Sequence, residues 1–273
     1  MNSTNRTATS ASGTTETGAT VSVVATDGAG HSSSAVIATV TSTTWSATGI
    51  DVSGLNDGTI TYTATATDAA GNTATAAKTA TKDTVVPTVT VNQASAQADP
   101  TNASPINFTV VFSEPVTGFT SSGVTLGGTA GGTKTIIVTG SDSTYNVAVS
   151  GMTDGTVTAS VSAAAASDGA GNANTASTSI DNSVTYDTTP PTASAITTAN
   201  KTGGTQGKAE AGDTVTMTYN EAMAATSILS GWNGSSTNVV VRITDPPHVA
   251  KTARRDNNAL GQAVDGEAGA PEC

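Results

Sequence analysis

The sequence predicts an all-β protein assembled from tandem sandwich domains, and three observations carry that expectation. The first is an imperfect self-copy. DAAGN at 68–72 returns as DGAGN at 168–172, and each is followed by small residues and then by KDTVVPT at 82–88 or YDTTPPT at 186–192. Asp68 and Asp168 lie 100 residues apart, the length of one immunoglobulin-type sandwich rather than of a solenoid rung. The second is period-two alternation of Val, Ile and Thr in TVSVVATD, SAVIATV and TITYTATATD, bounded by Gly and Asp clusters, the pattern of half-buried strands. The third is that no long window places apolar residues three and four apart, so no helix competes. The fold class is therefore all-β, tandem immunoglobulin-like β-sandwiches with the last unit incomplete.

Taken in chain order, residues 1–17 are Ser/Thr-rich without periodicity and read as linker or frayed strand. Strand structure begins near Thr20, and the first repeat covers 18–86. The second repeat, 87–189, offers seven candidate strands: TVTVNQ, INFTVVFSE, GVTLGG, KTIIVTG, TYNVAVSG, GTVTASVSAAAASD and NTASTSIDNSVTY. Asp57-Gly58 and Asp154-Gly155 sit at matching places before the penultimate strand, where Asp-Gly favours a tight reversal. Their spacing is 97 residues against 100 for the later loop. Three residues are thus added within the run Ala163 to Ala166, which reads as strand or bulge. A partial third repeat covers 190–245 with TASAITTAN, DTVTMTYNEAM, SILSG and STNVVVRITD. Residues 246–273 lose the alternation and read as an atypical, disordered tail.

Composition narrows the function. Aromatic residues make up 3% of the chain, so the cores rest on Val, Ile, Leu and Ala, with Trp45, Phe108, Phe112 and Tyr145 as large fillers. Small domains with thin cores need a staple, and it is not a disulfide, because Cys273 is the only cysteine. A net charge of −11 disfavours nucleic acid and anionic membrane and favours cations. No run reaches the roughly 20 apolar residues of a membrane span, and the N-terminal stretch lacks the apolar core of a secretory signal. Any export signal is expected to lie outside this chain.

At FTVVFSEPVTGF, SGMTDGTVTASV, SDGAGN and YDTTPPT the chain resembles the bacterial Ig-like repeats of large surface adhesins and biofilm-associated proteins. The first repeat, TTWSATGIDVSGLNDGTITYTATATDAAGNTAT, resembles a sister type, and the likeness covers roughly residues 18–245. The resemblance implies Greek-key sandwiches, a non-enzymatic role, a place outside the cell or on its surface, and calcium at junctions between repeats. Neighbouring repeats are then the immediate partners, with a host surface or biofilm matrix beyond them.

In a seven-strand sandwich the second-to-third and sixth-to-seventh connections lie at the end where the chain enters. For the junction of repeats one and two, those segments carry Asp83, Glu114, Asp168 and Asn172. Calcium takes six to eight oxygens at low affinity in extracellular modules, so this set is the expected metal site. The equivalents are Asp27, Asp68 and Asn72 at the first repeat, and Asp187 with Glu221 at the third. Set beside this, Asp, Gly and Asn are ordinary turn residues, and DGAGN reads equally as turn chemistry.

Other motifs are weaker. Trp45 and Trp232 as sugar platforms compete with simple edge packing. The alternating Thr61, Thr63, Thr65 and Thr67 fit any half-exposed strand. GGTAGGTKT and GGTQGKA fail the phosphate-loop spacing, and with His31 in a turn and His248 in the atypical tail as the only histidines, a metal triad or a Ser-His-Asp arrangement would need improbable folding. The competing classes are a module gripping host glycan or protein, and an accessory domain of a secreted hydrolase.

Overall fold

The computed structural model describes residues 1–206, 212–228, 230, 233 and 235. Trp232, His248, the candidate strand at 236–245 and the expected tail at 246–273 lie outside them. The chain divides into two compact units, Met1–Thr188 and Thr189–Cys273, and the first holds two sandwiches.

The first sandwich contains β1 (Thr9–Thr14), β2 (Thr20–Thr26), β3 (Val36–Ile37), β4 (Thr39–Thr41), β5 (Thr44–Ile50), β6 (Gly58–Thr67) and β7 (Thr73–Lys82). They form two antiparallel sheets, β1-β5-β4 and β3-β2-β6-β7. The segment expected as linker or frayed strand thus supplies β1, paired with β5 from Thr9 to Thr14, and Met1 bonds through its ammonium to the Thr81 carbonyl at 2.8 Å. Hydrophobic periodicity missed it because β1 reads TSASGT. Its place comes from backbone pairing, not from apolar side chains. The core is small: Val21, Val23, Ile50, Val52 and Ile60 are each at most 1% exposed.

The second sandwich contains β8 (Val89–Gln93), β9 (Ile106–Phe112), β10 (Val124–Gly127), β11 (Thr135–Ser141), β12 (Thr144–Ser150), β13 (Gly155–Val161) and β14 (Ser183–Tyr186). Its sheets are β11-β12-β9-β8 and β10-β13-β14. Alternation places Ile106, Phe108, Val110 and Phe112 of β9 inward, as period two requires. Phe112, Phe119 and Tyr145 meet edge to face at 5.1–5.9 Å, a geometry that suits ring quadrupoles. The Ala run is neither strand nor bulge. Ala163 and Ala164 form a turn after β13, with Ala164 at φ 58°. Of NTASTSIDNSVTY only the last four residues are strand, while Thr178 makes an isolated parallel bridge to Thr90 of β8.

In the second unit, β15 (Ala193–Ala199) pairs antiparallel with β16 (Thr214–Tyr219). Ala225–Ile228 form a single helical turn, α1, where the sequence suggested a short strand.

Candidate cation site at the junction of the two sandwiches

Three turns share one construction: DGAGH at 27–31, DAAGN at 68–72 and DGAGN at 168–172. In each, the Asp Oδ1 accepts the amides of the second and fourth following residues: Ala29 and His31, both 2.9 Å; Ala70 at 2.8 and Asn72 at 2.7 Å; Ala170 and Asn172, both 2.8 Å. The Asp Oδ2 meets the fourth side chain, with His31 Nδ1 at 2.8 Å, Asn72 Nδ2 at 2.7 Å and Asn172 Nδ2 at 2.8 Å. The glycine before it takes φ 87°, 91° or 86°, the left-handed region open to Gly. Each Asp is thus an Asx-turn anchor, and the turn reading of the motif holds in all three. The copy at 27–31 escaped the sequence comparison because His31 replaces Asn and its spacing is not one repeat.

The copies differ in place. Register pairs Thr20 with Thr67 and Thr26 with Thr61, so Asp27 and Asp68 sit at opposite ends of the β2–β6 pair, about 20 Å apart at the usual strand rise. The expected grouping of Asp27 with Asp68 and Asn72 does not form, because β2 and β6 run antiparallel. The Asp27 carboxylate is occupied: Oδ2 also accepts the Asn56 amide at 2.9 Å. That amide, with His31 and Ala29, holds Asp27 far below the carboxylate range against its burial. Asp68 is lowered mainly by the Asn72 side chain and amide.

Among the described residues, the third turn is the one that joins a cluster of three carboxylates. Asp83 arrives just past the end of β7, Glu114 follows β9, and Asp168 follows β13. One carboxylate oxygen from each lies within 4.8 Å of the others. Oxygens on opposite sides of a calcium ion bonded at 2.3–2.6 Å are separated by about 4.6–5.2 Å, so the donor set and its spacing fit a hard divalent cation. Electrostatics agree. Burial raises the pKa of Glu114, and the charges of Asp168 and Asp83 raise it further. Asp168 is also raised by burial, but the Asn172 side chain and the amides of Asn172, Ala170 and Gly171 outweigh this and keep it lowered.

Asn172 is not free to be a ligand. Its Oδ1 accepts the Ser3 amide at 2.8 Å, and its Nδ2 donates to the Asp83 carbonyl at 2.9 Å as well as to Asp168. It therefore orients Asp168 and the linker. Asn2 adds bonds to the carbonyls of Ala170 and Gly171 at 3.1 and 3.3 Å, and the Asp83 amide donates to the Met1 carbonyl at 2.9 Å. The residues Met1 to Ser3 thus staple the loop to the linker, a role their polar sequence did not signal. Asp187 lies in the first unit and donates its amide to the Thr101 carbonyl at 2.9 Å. Glu221 lies in the second, with Oε1 buried and unpartnered among the described residues.

Two antiparallel sheets of four and three strands, closed by an Asp-Gly turn before the sixth strand and an Asx turn after it, define the second domain as an immunoglobulin-type sandwich. Residues 83–186 match the family model described as a bacterial Ig-like domain, and this stretch of the chain is such a domain. No curated protein matches the chain. Among solved structures, the chain is similar to the tetra-tandem repeat in the extending region of a large adhesion protein. Identity is 24%, over 71% of this chain and 48% of that one, with a TM-score of 0.28. This chain therefore spans about half the length of that structure.

Proposed function

We propose that this is a non-enzymatic, extracellular segment of a bacterial adhesin, a spacer that projects other parts of its protein from the cell surface. A calcium ion held by Asp83, Glu114 and Asp168 stiffens the junction of its first two domains. The observation that carries this reading is the convergence of three carboxylates, from the linker, the segment after β9 and the turn at 168–172, within 4.8 Å. The match of residues 83–186 to a bacterial Ig-like domain supports the setting, and neighbouring repeats are the immediate partners, with host surface or biofilm matrix beyond.

Extracellular modules hold calcium at about 10⁻⁴ to 10⁻³ M, so a few millimolar ion adds on the order of 1 kcal/mol through mass action. That is a small addition to stability but enough to restrict a short linker. Calcium titration calorimetry and small-angle scattering test the proposal. Heat on titration that disappears in Glu114→Gln, with a more bent average shape under chelator, is the expected result. Identical scattering curves in calcium and chelator, with no titration heat, overturn it.

A further inference from the structure

The first domain grips its outgoing linker through one carboxylate. Asp57 stands in the Asp-Gly turn that opens β6. Its Oδ1 accepts the Lys82 ammonium at 2.9 Å and its Oδ2 the Thr84 amide at 2.9 Å. The Thr84 hydroxyl donates to the same group, 2.8 Å from Oδ2 and 3.1 Å from Oδ1. Lys82 is 3% exposed, and its ammonium also donates to the Leu55 carbonyl at 2.6 Å, so its buried charge has the partners it requires. Burial raises the pKa of Asp57, but the Thr84 amide, Lys82 and the Thr84 hydroxyl outweigh this and hold it below the ordinary carboxylate value. The grip is therefore ionic at neutral pH.

Lys82 and Thr84 flank Asp83. In an extended chain successive side chains point to opposite sides. With 82 and 84 both committed to Asp57, residue 83 is turned the other way, where its carboxylate meets Glu114 and Asp168. The turn that carries Asp57 is itself braced: the Asn56 amide donates to Asp27 Oδ2 at 2.9 Å. The Asp27 side chain is 2% exposed and is anchored in turn by the Ala29 and His31 amides. The second domain repeats the grip. Asp154, likewise before a strand-opening glycine, accepts on Oδ1 the Thr188 amide at 2.9 Å and the Thr188 hydroxyl at 2.7 Å. Acceptor and threonine are 27 residues apart in the first case and 34 in the second, so the geometry recurs although the intervening length does not.

We propose that Asp57 is a positioning residue of the junction: it sets the direction in which the linker leaves the first domain and so presents Asp83 to the second. Asp154 fixes in the same way the chain that leaves the second domain at Thr188. The buried turn at 27–31, which joins no carboxylate cluster among the described residues, serves as the brace behind Asp57. Presentation of Asp83 to a cation rests on the calcium reading above. The steering itself does not, because every bond in it is between protein groups.

The test uses the full chain with Cys273→Ser, which removes the only native cysteine, and with spin labels on Thr75→Cys and Thr139→Cys, exposed positions of β7 and β11. Their separation reports the angle between the two sandwiches. In chelator, the distance distribution should broaden in Asp57→Ala, broaden less in Thr84→Val, and keep its width in Asp154→Ala. A role limited to stability would lower the first domain's Tm without widening the distribution. Calcium titration calorimetry gives the second readout: affinity should fall by about tenfold or more in Asp57→Ala, the loss usual when a group that orients a metal ligand is removed. If the parent chain takes up no calcium, the cation reading fails and the distance distributions alone decide the steering. If Asp57→Ala fails to fold because Lys82 loses its partner, Thr84→Val, which leaves that pair in place, decides instead. Unchanged distributions in the folded variants overturn the proposal, as does equal broadening in Asp154→Ala. Broader distributions with unchanged calcium affinity overturn it too, because Asp83 would then reach the cation without being steered.

Discussion

The strand β9 drives Ile106, Phe108, Val110 and Phe112 into the second core, each at most 2% exposed, whereas β1 brings only Ala11 and Gly13 to the places of Phe108 and Val110. Yet the turns of the two sandwiches are built alike, down to the Asp-anchored loops at 68–72 and 168–172 and the hairpins turning through Ser42 at φ 55° and Asp142 at φ 58°. Turn geometry and core volume are therefore separable. Local hydrogen bonding sets where a chain reverses, and side-chain volume sets how firmly the sheets are held. The second domain buries nineteen apolar residues in one cluster and the first ten, so in denaturant the first domain should unfold first.

The largest expected effect comes from erasing that difference. Phe108→Ala places in β9 the residue found at the same point of β1, and a fully buried Phe costs about 3–5 kcal/mol when truncated. The second domain's midpoint should fall to that of the first or below. Trp45 fluorescence follows the first domain, and near-ultraviolet dichroism of the Phe112, Phe119 and Tyr145 cluster follows the second. An unchanged order of unfolding would show that core volume does not set the contrast.

Asn174 sharpens the comparison at a loop. It is 3% exposed, accepts the Ala166 amide at 2.7 Å, and donates to the carbonyls of Ser162 and Thr175 at 3.0 and 2.6 Å. Ala74 stands at the corresponding place in the first domain and is exposed. Asn174→Ala should cost about 2 kcal/mol by leaving buried backbone groups unpaired, measured by urea denaturation. Ala74→Asn should leave the first domain's midpoint where it was.

Much of this was legible in the sequence. The alternation in TVSVVAT and INFTVVF places β2 and β9 because each buries one face, and the 100-residue spacing reveals the repeat. Asp83, Glu114 and Asp168 were also legible as a group, since each stands in a connection on the side where the linker arrives. β1 was not, because TSASGT has no apolar period and is held by pairing to β5. The separation of Asp27 from Asp68 was hidden for a different reason: it depends on β2 pairing antiparallel with β6, which puts the ends of the two strands at opposite edges of the pair. Asn172 looked like a ligand because composition shows its oxygen but not the Ser3 amide that occupies it. The three-residue insertion in the Ala run gave its length but not its form, since Ala164 adopts a positive φ that alanine seldom takes.

Asp168 and Asp68 anchor equal turns in unequal surroundings. Asp168 is 5% exposed and Asp68 is only half-buried. Asp168→Ala removes acceptors for Ala170, Asn172 and the Asn172 side chain in a buried loop, and should cost about 1–3 kcal/mol. Asp68→Ala should lower the first domain's midpoint by less. Thermal melts in chelator isolate this turn contribution, so equal losses in the two variants would mean that burial of the third turn adds nothing.

The smallest effect is the pH response of the junction, and its sign separates the carboxylates. Glu114 has a folded pKa above its ordinary 4.5, so its charged form is disfavoured in the folded state. In chelator, lowering the pH from 7 toward that value should therefore raise stability slightly, by less than about 1 kcal/mol for a partly exposed group. Asp168 has a folded pKa below its ordinary 3.8. Its contribution is complete above 3.8 and is lost as the pH falls through the lower folded value. With calcium present the first trend reverses, because a proton on Glu114 removes a ligand and the calcium-dependent rise in Tm shrinks as the pH falls. Glu114→Gln should flatten both curves between pH 7 and 4.5 while leaving the acid loss below 3.8 in place. A Tm profile whose chelator and calcium branches slope the same way in that window would place the cation somewhere other than these three carboxylates.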